Sequence, residues 1–129
     1  MKKGLIASLL IGALALTGCS SSASTTNLNS QAFAKKIKEP GITLVDVRSA
    51  GEFASGHIQN AINIDVEGMQ FDAEIAKLDN SATYALYCHS GRRSAIAVQK
   101  MNKAGFTHLF NLTTGISDWA AQGFPVTTL

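Results

Sequence analysis

The chain has 129 residues, 46% of them hydrophobic and 16% charged, which is enough for one domain around one core. Its formal charge of +2 comes from Lys2 and Lys3: from Cys19 onward nine Lys and Arg face nine Asp and Glu, a balance that lacks the basic footprint of a nucleic-acid binder. Two cysteines, Cys19 and Cys88, argue against a disulfide framework, and the histidines His57, His89 and His108 lack metal-ligand spacing.

In chain order, the first element is a leader, residues 1–18. Lys2 and Lys3 form a charged start, and Leu5 to Leu16 is an apolar run too short to span a bilayer comfortably. It ends in Leu16, Thr17, Gly18 and Cys19, which resembles the bacterial lipobox. That resemblance implies that Cys19 becomes the lipidated amino terminus of an exported, membrane-anchored protein on the periplasmic side or cell surface. In a bacterium with two membranes, Ser20 after the lipid-bearing Cys implies an outer-membrane address. Residues 19–30, a Ser/Thr/Asn tract with little to bury, read as a flexible tether. The domain then occupies residues 31–129.

Ser30 is a candidate helix cap, with Phe33, Ala34 and Ile37 on the inner face. After the turn Glu39-Pro40-Gly41, the β-branched run Ile42 to Val47 predicts a buried strand. Ala61 to Ile64 predicts a second strand. Phe71, Ile75 and Leu78 have helical spacing. Thr83 to Cys88 predicts a third strand, and Ser94 to Gly105 a helix presenting Ala95, Val98 and Met101. His108 to Leu112 predicts a fourth strand, and the stretch from Gly115 a last short helix holding Trp119 as a packing residue. Strands alternating with helices predict an α/β fold, a parallel central sheet covered by helices on both faces. Sites in such sheets form at the carboxyl ends of strands, where Cys88 falls.

The loop after Cys88 reads His89-Ser90-Gly91-Arg92-Arg93-Ser94. Gly91 permits a sharp turn. Loop amides and those of the following helical turn lack partners within the helix, so they can converge on an anion near the sulfur. The two arginines add charge at the rim. A thiol of pKa ~8.5 is about 3% ionised at pH 7, and a two-unit drop makes that roughly 75%. Nucleophilicity then falls about 8-fold, so the net rate gain is only ~3-fold. Holding a negatively charged intermediate on sulfur is the better use of such a loop, since preorganised donors are worth ~3 kcal/mol in a water-poor site.

Three blocks carry a family resemblance. "LVDVRSAGEFASGHIQNAINI" has an Asp-Val-Arg strand end, Glu-aromatic, Gly-His-Ile and Ala-Ile-Asn-Ile. "YCHSGRRSAIAV" supplies a loop and helix, and "AGFTHLFNLTTGISDWAAQGFPV" a closing strand and Gly-Ile-x-x-Trp helix. In this order they resemble a single-domain rhodanese, a sulfurtransferase, over Ile42 to Phe124. The departures are Gln59-Asn60 where Pro-Gly is common, and Thr114 where a second Gly is frequent. The resemblance implies a persulfide on Cys88, held by the amides of His89 to Ser94 and fed by a small anionic sulfur donor such as thiosulfate. The acceptor would be thiophilic: cyanide, a small thiol or a protein thiol. No cofactor or metal is implied. Arg92 or Arg93 would steer the donor, Arg93 matching the family's usual Arg. Asp46 and Arg48 would brace the loop from below, and His57 would be structural. His89 lies in the loop, whose side chains mostly point outward, and His108 is incidental. Two alternatives stand beside this reading. A non-catalytic persulfide- or partner-binding module would keep the fold but lose the thiol or the loop. A cysteine phosphatase or arsenate reductase would need an Arg at position 94, where Ser94 stands.

Overall fold

The computed structural model describes residues 24–129. The leader and Cys19, with the lipid and address expected there, lie outside the described residues. Five strands form one parallel sheet in the order β1-β5-β4-β2-β3: β1 is Ser24–Leu28, β2 Ile42–Asp46, β3 Ile62–Asn63, β4 Thr83–Tyr87 and β5 His108–Leu112. Between them run α1 (Ser30–Lys36), α2 (Ala50–Ser55), α3 (Phe71–Ile75) and α4 (Arg92–Lys103), with α5 (Gly115–Ala121) last.

Strand side chains alternate between faces, and each face has its own core. Val45, Tyr84, Leu86, Cys88 and Leu109 pack with Phe71 and Ile75 of α3 and Ala97, Val98 and Met101 of α4. Leu44, Ala85, Tyr87 and Leu112 pack with Phe33 and Ala34 of α1 and Ile116 and Trp119 of α5. The central strand β4 is buried on both sides, which explains its near-continuous apolar sequence. Trp119 is core, edge-on to Phe33 and stacked on Phe124, and its Nε1 donates to the Pro125 carbonyl at 2.9 Å.

Several expectations need correction. The tether was expected to run to Ser30, yet residues 24–28 pair in register with β5, from Ser24 opposite His108 to Leu28 opposite Leu112. Ser, Thr and Asn suit this strand because it lies at the sheet edge, and its polar side chains are used. Asn102 Nδ2 donates to Thr25 Oγ1 at 3.1 Å, and Asn111 Nδ2 to Asn27 Oδ1 at 3.2 Å. Helix α1 is capped by Asn29, whose Oδ1 accepts from the Ala32 amide, and not by Ser30. Ser30 is instead buried and donates to Asp118 Oδ2 at 2.6 Å, tying α1 to α5. The buried stripe of α4 is Ser94, Ala97, Val98 and Met101, while Ala95 faces solvent. The helix begins two residues early, at Arg92, because Gly91 at φ 105° makes the turn. Helix α2 was not anticipated. It is signalled by a Ser-x-x-Glu cap: Ser49 Oγ accepts from the Glu52 amide and donates to Glu52 Oε1.

Candidate active site

Cys88 follows the last residue of β4 and is 1% exposed. The Gly91 amide donates to its Sγ at 3.0 Å. The thiol faces Ser94 Oγ at 3.5 Å, and that hydroxyl donates onward to the Gly91 carbonyl at 3.2 Å. On ionisation of the thiol, rotation of the Ser94 hydroxyl turns it from acceptor to donor. Burial pushes the thiol pKa up. The Ser94 hydroxyl and the amides of Ser94, Gly91 and Ser90 outweigh burial, so the pKa lies below its ordinary value.

The loop's shape comes from outside it. The carbonyls of Cys88 and His89 accept from the amides of Ile116 and Ser117, at 2.9 and 3.0 Å, in the first turn of α5. In a trans peptide the C=O and the next N–H point opposite ways. Turning these carbonyls toward α5 therefore turns the His89 and Ser90 amides away from it. Two glycines allow the close approach. A Cβ on Gly91 would collide with the Thr113 carbonyl, and one on Gly115 with the His89 carbonyl. Both have positive φ, 105° and 69°. Gly115 was quoted in the sequence only as part of a helix motif; its role against a loop in a different segment had no local signal.

The rim differs from expectation. Arg93 does not face an open mouth. Its Nη1 and Nη2 donate to Glu52 Oε1 and Oε2 at 2.7 and 2.8 Å, a bidentate fork, and its Nε lies 3.7 Å from Glu67 Oε1. Hydrogen bonding to Arg93 holds the Glu52 carboxyl at about 2, against some burial and with help from Ser49 and Arg48. Because that pKa is depressed, the clamp's contribution is complete above the ordinary carboxylate range and is lost as pH falls through about 2. Glu52 was missed as a site residue, although Glu three residues after a Ser is a readable cap. Arg92, His89 and Ser90 are exposed.

Beneath the loop, Asp46 is fully buried and Arg48 5% exposed. Arg48 Nη2 donates to Asp46 Oδ2 and to the Gly56 carbonyl, both at 2.6 Å, and Arg48 Nε reaches Oδ1 at 3.0 Å. Burial opposes the charge on Arg48, but Asp46 outweighs it and holds the guanidinium above its usual range. Asp46 pairs with Tyr87 across β2 and β4, one residue from Cys88, and the side-chain bonds of Asp46 and Arg48 run to each other and to Gly56 rather than to the loop. His57 is buried, stacked on Phe53, with Nδ1 2.8 Å from the Phe53 carbonyl. His108 is exposed at the start of β5. Depressions of about 550 Å³ between α3 and α4 and about 520 Å³ beside α1 do not include Cys88, whose sulfur is enclosed by its own loop.

Ser94→Ala is expected to move the pH profile of Cys88 alkylation by iodoacetamide to higher pH, because it removes a donor from the thiolate while burial stays. At pH 7 the rate should fall roughly three- to tenfold, in line with one hydrogen bond to a charged group. An unmoved profile would assign the lowered pKa to the amides alone.

A buried thiol with a loop amide on its sulfur, at the carboxyl end of the central strand of a parallel sheet, defines an α/β protein with a cysteine-loop site. The chain belongs to the Rhodanese-like domain family, whose model matches residues 29–122. Over 76 residues it is 33% identical to Thiosulfate sulfurtransferase PspE of Escherichia coli (strain K12), covering 59% of this chain and 72% of that one. It is 29% identical over 100 residues to YrkF of Bacillus subtilis (strain 168), which is 77% of this chain. The chain spans 53% of that protein's length, about half. The rhodanese-related protein of Thermoplasma volcanium superposes with a TM-score of 0.71 at 30% identity, over 81% of this chain and 99% of that one. Family and relatives support sulfur transfer as the general chemistry.

Proposed function

We propose that the chain is a sulfurtransferase that carries sulfane sulfur from thiosulfate, or a similar donor, to a thiophilic acceptor through a persulfide on Cys88. The observation that carries this reading is the Gly91 amide 3.0 Å from Sγ in a loop whose amides also lower the thiol pKa. The Cys88 thiolate attacks the donor's outer sulfur. The donor S–S bond breaks, and sulfite leaves with the electron pair. The persulfide then yields its terminal sulfur to the acceptor, which regenerates the thiolate. The amides of His89 to Ser94 hold the anionic sulfur at each stage, and Asp46 with Arg48 keeps the loop in place. Arg92 supplies charge at the rim. The test is the intact mass of the protein after incubation with thiosulfate. One added sulfur, confined to Cys88 and removed by cyanide, supports the reading; an unchanged mass with an accessible thiol overturns it.

The leader and Cys19 complete the proposal with a lipid anchor on a bacterial membrane. Cys19→Ser is expected to end partitioning with membranes, or to leave an unprocessed precursor. Unchanged processing and partitioning in fractionated cells would defeat the anchor.

A further inference from the structure

We propose that Glu67, together with Glu52, sets donor preference by silencing Arg93, so that the mouth favours a sulfane donor of low charge over a dianion. This rests on the sulfur-transfer reading. Arg93 is the rim cation nearest the chemistry, yet its charge is already faced by two carboxylates. Glu52 takes both terminal nitrogens, and Glu67 lies 3.7 Å from the third. Two carboxylates on one guanidinium leave that cluster net negative, and Arg92 only restores neutrality. Glu67 stands in the turn after β3, at the same end of the sheet as Cys88, and its side chain is 67% exposed. Among the described residues its carboxylate has no partner other than Arg93. A residue so exposed adds little stability by its ion pair. Its effect is on the field at the mouth.

The field reaches the sulfur. Arg93 is held above its usual range by Glu52 first, with the Cys88 thiolate and Glu67 also contributing. A dianion such as thiosulfate therefore meets no net attraction from the rim side chains. A donor of the form RSSH, with R uncharged, carries at most one negative charge and is opposed less. With it, the Cys88 thiolate attacks the outer sulfur, the S–S bond breaks, and RS⁻ leaves with the electron pair and takes up the donor's proton as RSH.

The experiment uses the whole protein and two independent readouts. The first is the ratio of Cys88 alkylation rates with iodoacetate and iodoacetamide, an anion and a neutral probe of the same size, at low ionic strength. The second is steady-state transfer from thiosulfate and from the persulfide of 2-mercaptoethanol. A unit charge roughly 8 Å away in a water-like medium changes the encounter of a monoanion about twofold and of a dianion about fivefold. Glu67→Gln should raise the alkylation ratio about twofold. It should also raise kcat/KM for thiosulfate about fivefold, through KM, and both gains should fade with added salt. The value for the persulfide of 2-mercaptoethanol, a monoanion at most, should rise no more than about twofold. Glu52→Gln should move the alkylation ratio the same way. Glu39→Gln removes an equal charge at the opposite end of the sheet, where Glu39 pairs with Lys36, and should change nothing. An unchanged ratio in Glu67→Gln, or an equal rise in Glu39→Gln, overturns the inference. If wild type transfers no sulfur from either donor, the sulfur-transfer reading fails; the alkylation ratio still decides whether the two carboxylates govern anion approach.

Discussion

Cys88→Ser is expected to lose thiosulfate-to-cyanide transfer by on the order of a thousandfold or more, with the fold intact. The hydroxyl is smaller than the thiol but accepts from the Gly91 amide and faces Ser94 as the thiol does. The missing property is chemical: an alkoxide is inaccessible at neutral pH, and no persulfide forms on oxygen. Circular dichroism and the urea midpoint should match wild type, so a loss of activity reports chemistry. The same variant is the blank for aryl phosphate hydrolysis, which should be negligible in wild type. A phosphate cradle needs its Arg six places after the Cys, where Ser94 stands, and Arg93 is already forked onto Glu52. Cys88-dependent phosphate hydrolysis without thiosulfate turnover would reverse the assignment, and wild-type transfer in Cys88→Ser would remove the mechanism.

Arg48→Met is expected to cost about 3–5 kcal/mol, against a total stability of about 5–15 kcal/mol for a domain of this size. The reason is what stays behind. Asp46 is fully buried, and among the described residues the donors left to its carboxylate would be the Arg48 amide and the Tyr87 hydroxyl. The Gly56 carbonyl also loses its 2.6 Å donor. Urea unfolding measures the loss. The double variant Asp46→Leu/Arg48→Met should recover part of it, because an apolar pair leaves no stranded charge. A single variant within about 1 kcal/mol of wild type would show that water reaches Asp46. Since Asp46 lies beside Tyr87, any surviving Arg48→Met protein should also alkylate Cys88 at an altered rate.

Where burial wrote the sequence, the fold was readable. Ile42 to Val47 and Thr83 to Cys88 are apolar because both faces of those strands are covered, and Val98 with Met101 marks the inner side of α4. The thiol loop was readable because Gly and small polar residues after a strand have few other uses. Strand β1 was not: a polar edge strand and a tether share one composition, and only pairing with β5, more than eighty residues away, separates them. The rim was misread for a related reason. Two adjacent arginines look alike in sequence. The difference between them is Glu52, forty-one positions earlier, brought opposite Arg93 by a helix too short to register.

Strand β1 runs parallel to β4, and that fixes a direction for the whole domain. Its first residue, Ser24, is level with Thr83 and His108 at one pole of the sheet, while Cys88 lies beyond the far end of β4 at the other. Five-residue strands put about 17 Å of backbone between the poles. A domain held by its amino end would stand on the pole away from Cys88, with the thiol loop on the side facing solution. Attachment at the carboxyl end of β4 would instead press the loop against the surface that holds it.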